Sequence, residues 1–273
     1  MATWEFACSE PIDANVSLAS GTVAVTAEPT DVVTVRVHRG RPSDPASAEA
    51  DDGRLADDVS VDFADHHLAV SELPKRGLGW RSKGLHITIG MPAGSRAAVQ
   101  AASADVTCRG EYGSVDIRTA SGRIEAQTVH GPAEISTMSG HVQIAEAAEV
   151  NAQTASGSFR VAHAVGNVNA RTASGYISIG SADASVTAKT ASGGIFAGRV
   201  ARGRADLASV SGGIDVKVAP GTGVFLDLRS LSGRVTSDLA ASDQECNADL
   251  RLRCQTVSGS VQVSRAPSAD VPA

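Results

Sequence analysis

One dipeptide returns along this chain on a nearly fixed period, and that recurrence limits the fold more than any other feature. Ser-Gly pairs stand at Ser121-Gly122, Ser139-Gly140, Ser156-Gly157, Ser174-Gly175, Ser192-Gly193, Ser211-Gly212, Ser232-Gly233 and Ser258-Gly259, with successive spacings of 18, 17, 18, 18, 19, 21 and 26 residues. Ser103-Ala104 is a degenerate member 18 residues before the first pair. A fixed period of this length marks one supersecondary unit repeated in space.

The register extends past the pair. Two residues before each Ser stands Thr119, Thr137, Thr154, Thr172, Thr190, Ser209, Ser230 or Thr256. Beyond each Gly, apolar positions alternate with polar ones, as in Ile124/Ala126, Val142/Ile144, Ile177/Ile179 and Val261/Val263. A second alternating run precedes each turn: Val115/Ile117, Ala133/Ile135, Val150/Ala152, Val168/Ala170, Val186/Ala188, Ala205/Leu207, Leu226/Leu228 and Leu252/Cys254. Period-two alternation is the strand signature. Each coil therefore holds two short strands and two turns. A lone coil cannot bury its apolar face, but stacked coils can.

The expected fold is an all-β, single-chain β-solenoid (a β-helix) of about nine coils over residues 99–263. Glycine at the turns (Gly122, Gly140, Gly157, Gly175, Gly193, Gly212, Gly233 and Gly259) supplies positive φ without a Cβ penalty. The Thr and Ser columns are expected to form hydroxyl ladders between coils. Residues 1–98 read as an irregular N-terminal β cap over the solenoid's open edge, although Ser20-Gly21-Thr22-Val23-Ala24-Val25 copies the repeat. Residues 40–56 read as a loop and 264–273 as a disordered tail.

Composition agrees with stacked strands. Hydrophobic residues make up 42% of the 273, yet aromatics only 3%, so the core is small and β-branched. A net charge of −6 excludes a general nucleic-acid binder, which needs a basic surface. The first residues show no basic, then apolar, secretion signal, and no window is long and apolar enough to span a membrane. The expectation is therefore a cytoplasmic protein with no integral membrane association. Cys8, Cys108, Cys246 and Cys254 fit neither a zinc site nor a CxxC pair, and a Cys246–Cys254 disulfide would need a hairpin to bring the two together.

The in-register Ser-Gly repeats, with the strand Leu85-His-Ile-Thr-Ile89 leading into Met91-Pro-Ala-Gly94, resemble the DUF4097 family of β-strand-repeat proteins, also called putative adhesins. The resemblance runs from about Val16 to Val263. It implies a β-solenoid linked to the bacterial cell envelope, and it brings no catalytic residues with it.

Chemistry is sparse. Asp116 and Glu134 occupy equivalent positions on successive coils, as do Asp206 and Asp227, at a spacing that would suit a carboxylate pair of a glycoside hydrolase. Arg118, Arg171, Lys189 and Arg229 stand two residues beyond, where they neutralise such a column. Phe159 and Phe225 fall at inward positions, leaving few aromatic platforms for a sugar. His66 and His67, on one strand, face opposite sides. No cofactor or metal motif is present. The basic stretch 74–84 is the strongest docking candidate, with Lys75, Arg76, Arg81 and Lys83 around Trp80, a combination favoured at interfaces. The chain is thus expected to be a non-catalytic scaffold or interaction module with an unknown protein partner. A carbohydrate-active β-helix enzyme and a self-assembling structural protein are the alternatives.

Overall fold

The computed structural model describes residues 1–39, 58–73, 84–239 and 249–267. Among the described residues there are nineteen strands and no helix. The chain forms two compact units, Met1–Gly140 and His141–Ala273.

The first unit is built on β2 (Asp13–Glu28). β2 pairs in parallel on one side with β7 (Arg96–Tyr112), setting Val16 against Val99 and Ser20 against Ser103. β7 pairs in turn with β8 (Ser114–Ser156), Val99 against Ile117 and Val106 against Ile124. On its other side β2 meets β5 (His67–Glu72) and β6 (Leu85–Pro92), again in parallel. Coil geometry therefore begins at Asp13, upstream of residue 99, and stacking order differs from chain order: β5 and β6 form the outermost coil while β2 lies inside it. The covering is done by antiparallel strands, which satisfy the outer edge. β3 (Val32–Arg39) pairs with β6, β1 (Ala2–Ala7) pairs with β3, and β4 (Val59–Ala64) pairs with β5. Phe6 stacks on Phe63 at 4.9 Å between ring centroids.

The second unit follows the repeat with each residue opposite its equivalent. The strands before the Ser-Gly corners are β10 (Val168–Ser174), β12 (Val186–Ser192), β14 (Gly203–Ser211), β16 (Val224–Ser232) and β18 (Leu250–Ser258). Those after the corners are β9 (Phe159–Ala164), β11 (Ile177–Ala182), β13 (Ile195–Val200), β15 (Ile214–Val218), β17 (Val235–Ser237) and β19 (Val261–Arg265). Thr172 faces Thr154 and Thr190, and Ile177 faces Phe159 and Ile195, all in parallel. The inward columns are buried from Val150 and Ala152 through to Leu252 and Cys254.

Here too the stack departs from chain order. β14 and β15 pair with β18 and β19, not with β16 and β17. β16 and β17 pair on the far side of β18 and β19, as the outermost coil. The long 26-residue spacing before Ser258 supplies the chain that returns. Burial follows from this order. Leu226 and Leu228 are only half-buried although their neighbours Leu252 and Cys254 are buried, and Val235 is exposed. Phe225 points outward at 61% exposure, contrary to the inward position expected from sequence, because alternation with an inward Leu226 turns it to the other face.

The corners show why glycine recurs. A Cβ on Gly175 would lie 1.7 Å from the carbonyl oxygen of Gly157, and one on Gly193 would lie 1.9 Å from that of Gly175. Gly122, Gly157, Gly175, Gly193 and Gly212 have φ between 131° and 151°. Gly140, Gly233 and Gly259 lie outside the left-handed range, yet a Cβ there would still meet a neighbouring glycine's carbonyl oxygen at 2.2, 1.9 and 2.2 Å. Close backbone stacking, with φ as a second term, sets the residue type.

Candidate interaction surface

The outer face of β14, β18 and β16 brings arginines, aspartates and exposed apolar side chains together in the second unit. In-register pairing builds rows across these three strands. Arg204, Arg251 and Phe225 form one row, and Asp206, Arg253 and Asp227 the next. Between the paired positions Ser209–Thr256–Ser230 and Ser211–Ser258–Ser232 stand Val210, Val257 and Leu231. These three are 55%, 47% and 83% exposed. In earlier coils the same corner position holds Ala155, Ala173 and Ala191, so the apolar row widens toward the outermost coil.

Ion pairs organise the middle of this face. Arg204 Nε donates to Asp206 Oδ2 at 2.7 Å, and Arg229 Nε to Asp227 Oδ1 at 2.8 Å. Arg253 Nε lies 3.5 Å from Asp227 Oδ2. Asp206 and Asp227 are thus not neighbours: Arg253 stands between them, against the carboxylate pair expected from their sequence positions. Asp116 is likewise held, by Arg118 Nη2 at 3.1 Å. Beneath the face, burial and the nearby Asp206 and Asp227 push the Cys254 thiol up to about 12, so it stays protonated.

Stacking also assembles two constellations that the sequence reading missed. His163 Nδ1 lies 2.7 Å from Ser181 Oγ, and His163 Nε2 lies 3.7 Å from Asp183 Oδ2. His163 and Ser181 are 18 residues apart and directly paired, so the repeat period was the available signal. The order is that of a nucleophile, base and orienting acid. The Ser181 hydroxyl also donates to Ala162 O at 3.4 Å; His163 and Ser181 lie half-buried on paired strands and Asp183 in the bend after β11.

In the first unit, Cys8 Sγ is 3.4 Å from His66 Nδ1, and His66 Nε2 is 3.8 Å from Glu10 Oε2. His66 does not lie on a strand. It sits with Asp65 in the β4–β5 turn at φ 62° and 49°. His66 and His67 consequently line one depression with Asp13 and Arg96 rather than facing opposite ways. Tyr112 is fully buried and donates to Val25 O at 2.8 Å. Burial raises the Tyr112 hydroxyl and pushes Cys108 up to about 12. No group of three His, Cys, Asp or Glu is placed to hold a metal among the described residues. Lys75, Arg76, Trp80, Arg81 and Lys83 lie outside the described residues.

In-register parallel coils, a small-residue core and glycine corners define a β-solenoid repeat protein. The chain belongs to the DUF4097 family: the family model described as Toastrack DUF4097 matches residues 12–195 and 146–273. No curated protein matches it. Among solved structures, one described as a putative adhesin from Bacteroides fragilis NCTC 9343 is 14% identical, with 96% of each chain covered and a TM-score of 0.42. A second so described, from Parabacteroides merdae ATCC 43184, is 10% identical, with 96% of this chain and 95% of that one covered and a TM-score of 0.34. No helix among the described residues is long and apolar enough to cross a membrane.

Proposed function

We propose that this protein is a non-catalytic interaction module that binds an acidic, partly apolar protein surface on the outer face of β14, β18 and β16. The carrying observation is a local reversal of charge combined with exposed apolar side chains. On these three strands Arg204, Arg229, Arg251 and Arg253 stand against Asp206 and Asp227, on a chain of net charge −6. Arginines beside exposed Phe225, Leu231, Val210 and Val257 make the composition of an interface, where aromatic and Arg anchors dominate. The face is a hydrogen-bonded sheet, so little ordering cost falls on binding. Three of the four carboxylates considered for sugar cleavage, Asp116, Asp206 and Asp227, are each engaged by arginine, which supports this reading rather than catalysis.

The test is site-specific photo-crosslinking in cells. A photoreactive residue at Leu231 or Val257 should capture a heterologous protein, and one at Asn169 on the same sheet should not. Capture should fall when Arg204 and Arg251 are both replaced by Ser. Equal capture from Leu231 and Asn169, or capture indifferent to the two arginines, contradicts the proposal.

A further inference from the structure

The far side of β16 is an open sheet edge: among the described residues, β16 pairs with β18 alone. The outermost coil of the first unit is covered by antiparallel strands. An uncovered edge displays a row of unmade backbone hydrogen bonds, which proteins blunt with like charges, prolines or bulges. β16 reads Val-Phe-Leu-Asp-Leu-Arg-Ser-Leu-Ser from Val224 to Ser232 and has no proline. Its two charges, Asp227 and Arg229, are opposite in sign.

We infer that β16 pairs antiparallel with β16 of a second copy of this chain, about a two-fold axis at Leu228, to form a closed dimer. The strand's outward positions read apolar, acidic, basic, apolar: Phe225, Asp227, Arg229, Leu231. Antiparallel pairing about Leu228 sets Phe225 opposite Leu231 of the second copy and Asp227 opposite its Arg229. Leu228, half-buried at the open end of the core, meets its own counterpart. Each of these cross-strand pairs is favourable, whereas a like-charge pair would be destabilising.

Hydrogen-bond parity allows the same axis. Leu250 N donates to Gly223 O, so from Gly223 to Arg229 the odd-numbered residues turn their backbone groups toward β18; the parity changes at the corner, where Ser232 O accepts from Gly259 N. Val224, Leu226 and Leu228 turn theirs to the free edge. An antiparallel ladder centred on a residue needs that residue's N–H and C=O to point at the partner, and Leu228 meets this condition. A two-fold interface of this kind is self-complementary and closes at two copies rather than growing into a fibre. It takes Phe225 and Leu231 as cross-strand contacts but leaves Arg204, Val210, Arg251 and Val257 on β14 and β18 outside the pairing, so capture from Val257 reads the partner binding proposed above separately from the dimer.

The test is sedimentation across a concentration series, with far-UV circular dichroism as the check on folding. Wild type should form a dimer. Asp227→Arg and Arg229→Asp, each alone, should be monomeric, because each sets like charges opposite one another. Mixing the two variants should restore a dimer, since each then meets a complementary strand. The proposal is overturned by a monomeric wild type, by a dimer that ignores both substitutions, or by folded single variants that do not recombine on mixing.

Discussion

Individual residues in this fold are selected by the backbone of the coil next door. The Gly175 corner leaves 1.7 Å for a Cβ beside Gly157 O and has φ 144°. Gly221 has φ 76° and nothing within 4 Å of the same position. Gly175→Ala should therefore cost more than ~2 kcal/mol, since clash adds to backbone strain, whereas Gly221→Ala should cost about 1 kcal/mol from strain alone. Urea unfolding of the two variants measures the difference, and equal losses would contradict the stacking account of the corners. The hydroxyl columns behave less simply than a ladder. Ser121 Oγ does donate to Ser103 Oγ at 3.2 Å. Thr256 and Ser230 instead donate to the glycine carbonyls of Gly212 and Gly259. The Thr137, Thr154, Thr172 and Thr190 hydroxyls are buried without a partner among the described residues.

At the scale of elements, the antiparallel cover of the first unit carries a titratable pair. His38 on β3 faces His86 on β6, with rings stacked 5.0 Å apart. Burial holds both imidazoles below their ordinary 6.5, and for His38 the charge of His86 and the N-terminal ammonium add to burial. The unfolded chain takes up these protons near 6.5, before the folded one does. The pair's contribution to stability is thus present above 6.5 and lost as pH falls through the lower folded values. Melting temperature should drop between pH 7.5 and 5, and His86→Gln should flatten that drop. An unchanged slope in the variant would show that other groups govern the acid response. Elements were legible from sequence to different degrees. The period-two runs marked the strands of the coils, because one face of each must be buried. The Ser20-Gly21 motif marked β2 as repeat-like. His66 was misplaced because a turn with two residues at positive φ carries no alternation signal and no glycine.

For the whole chain, the repeat that made the fold legible also concealed its stacking order. Every coil offers the same columns, so a coil fits between any two others, and alternation cannot say which neighbours meet. Only the stretched spacings of 21 and 26 residues hint that β18 and β19 return to lie beside β14 and β15. The proposed surface exists only in that order, since it alone sets Arg251 between Arg204 and Phe225 and Arg253 between two aspartates. Disulfide trapping tests this directly, on a background with Cys8 and Cys246 replaced by Ser. Neighbouring in-register strands are about 4.8 Å apart, inside the roughly 4.4–6.8 Å that a disulfide spans between Cα atoms, and strands two apart are well beyond it. Arg204→Cys with Arg251→Cys should close an intramolecular disulfide under mild oxidation, while Arg204→Cys with Phe225→Cys should not. The reverse pattern would put β16 beside β14 and remove the surface on which the function rests.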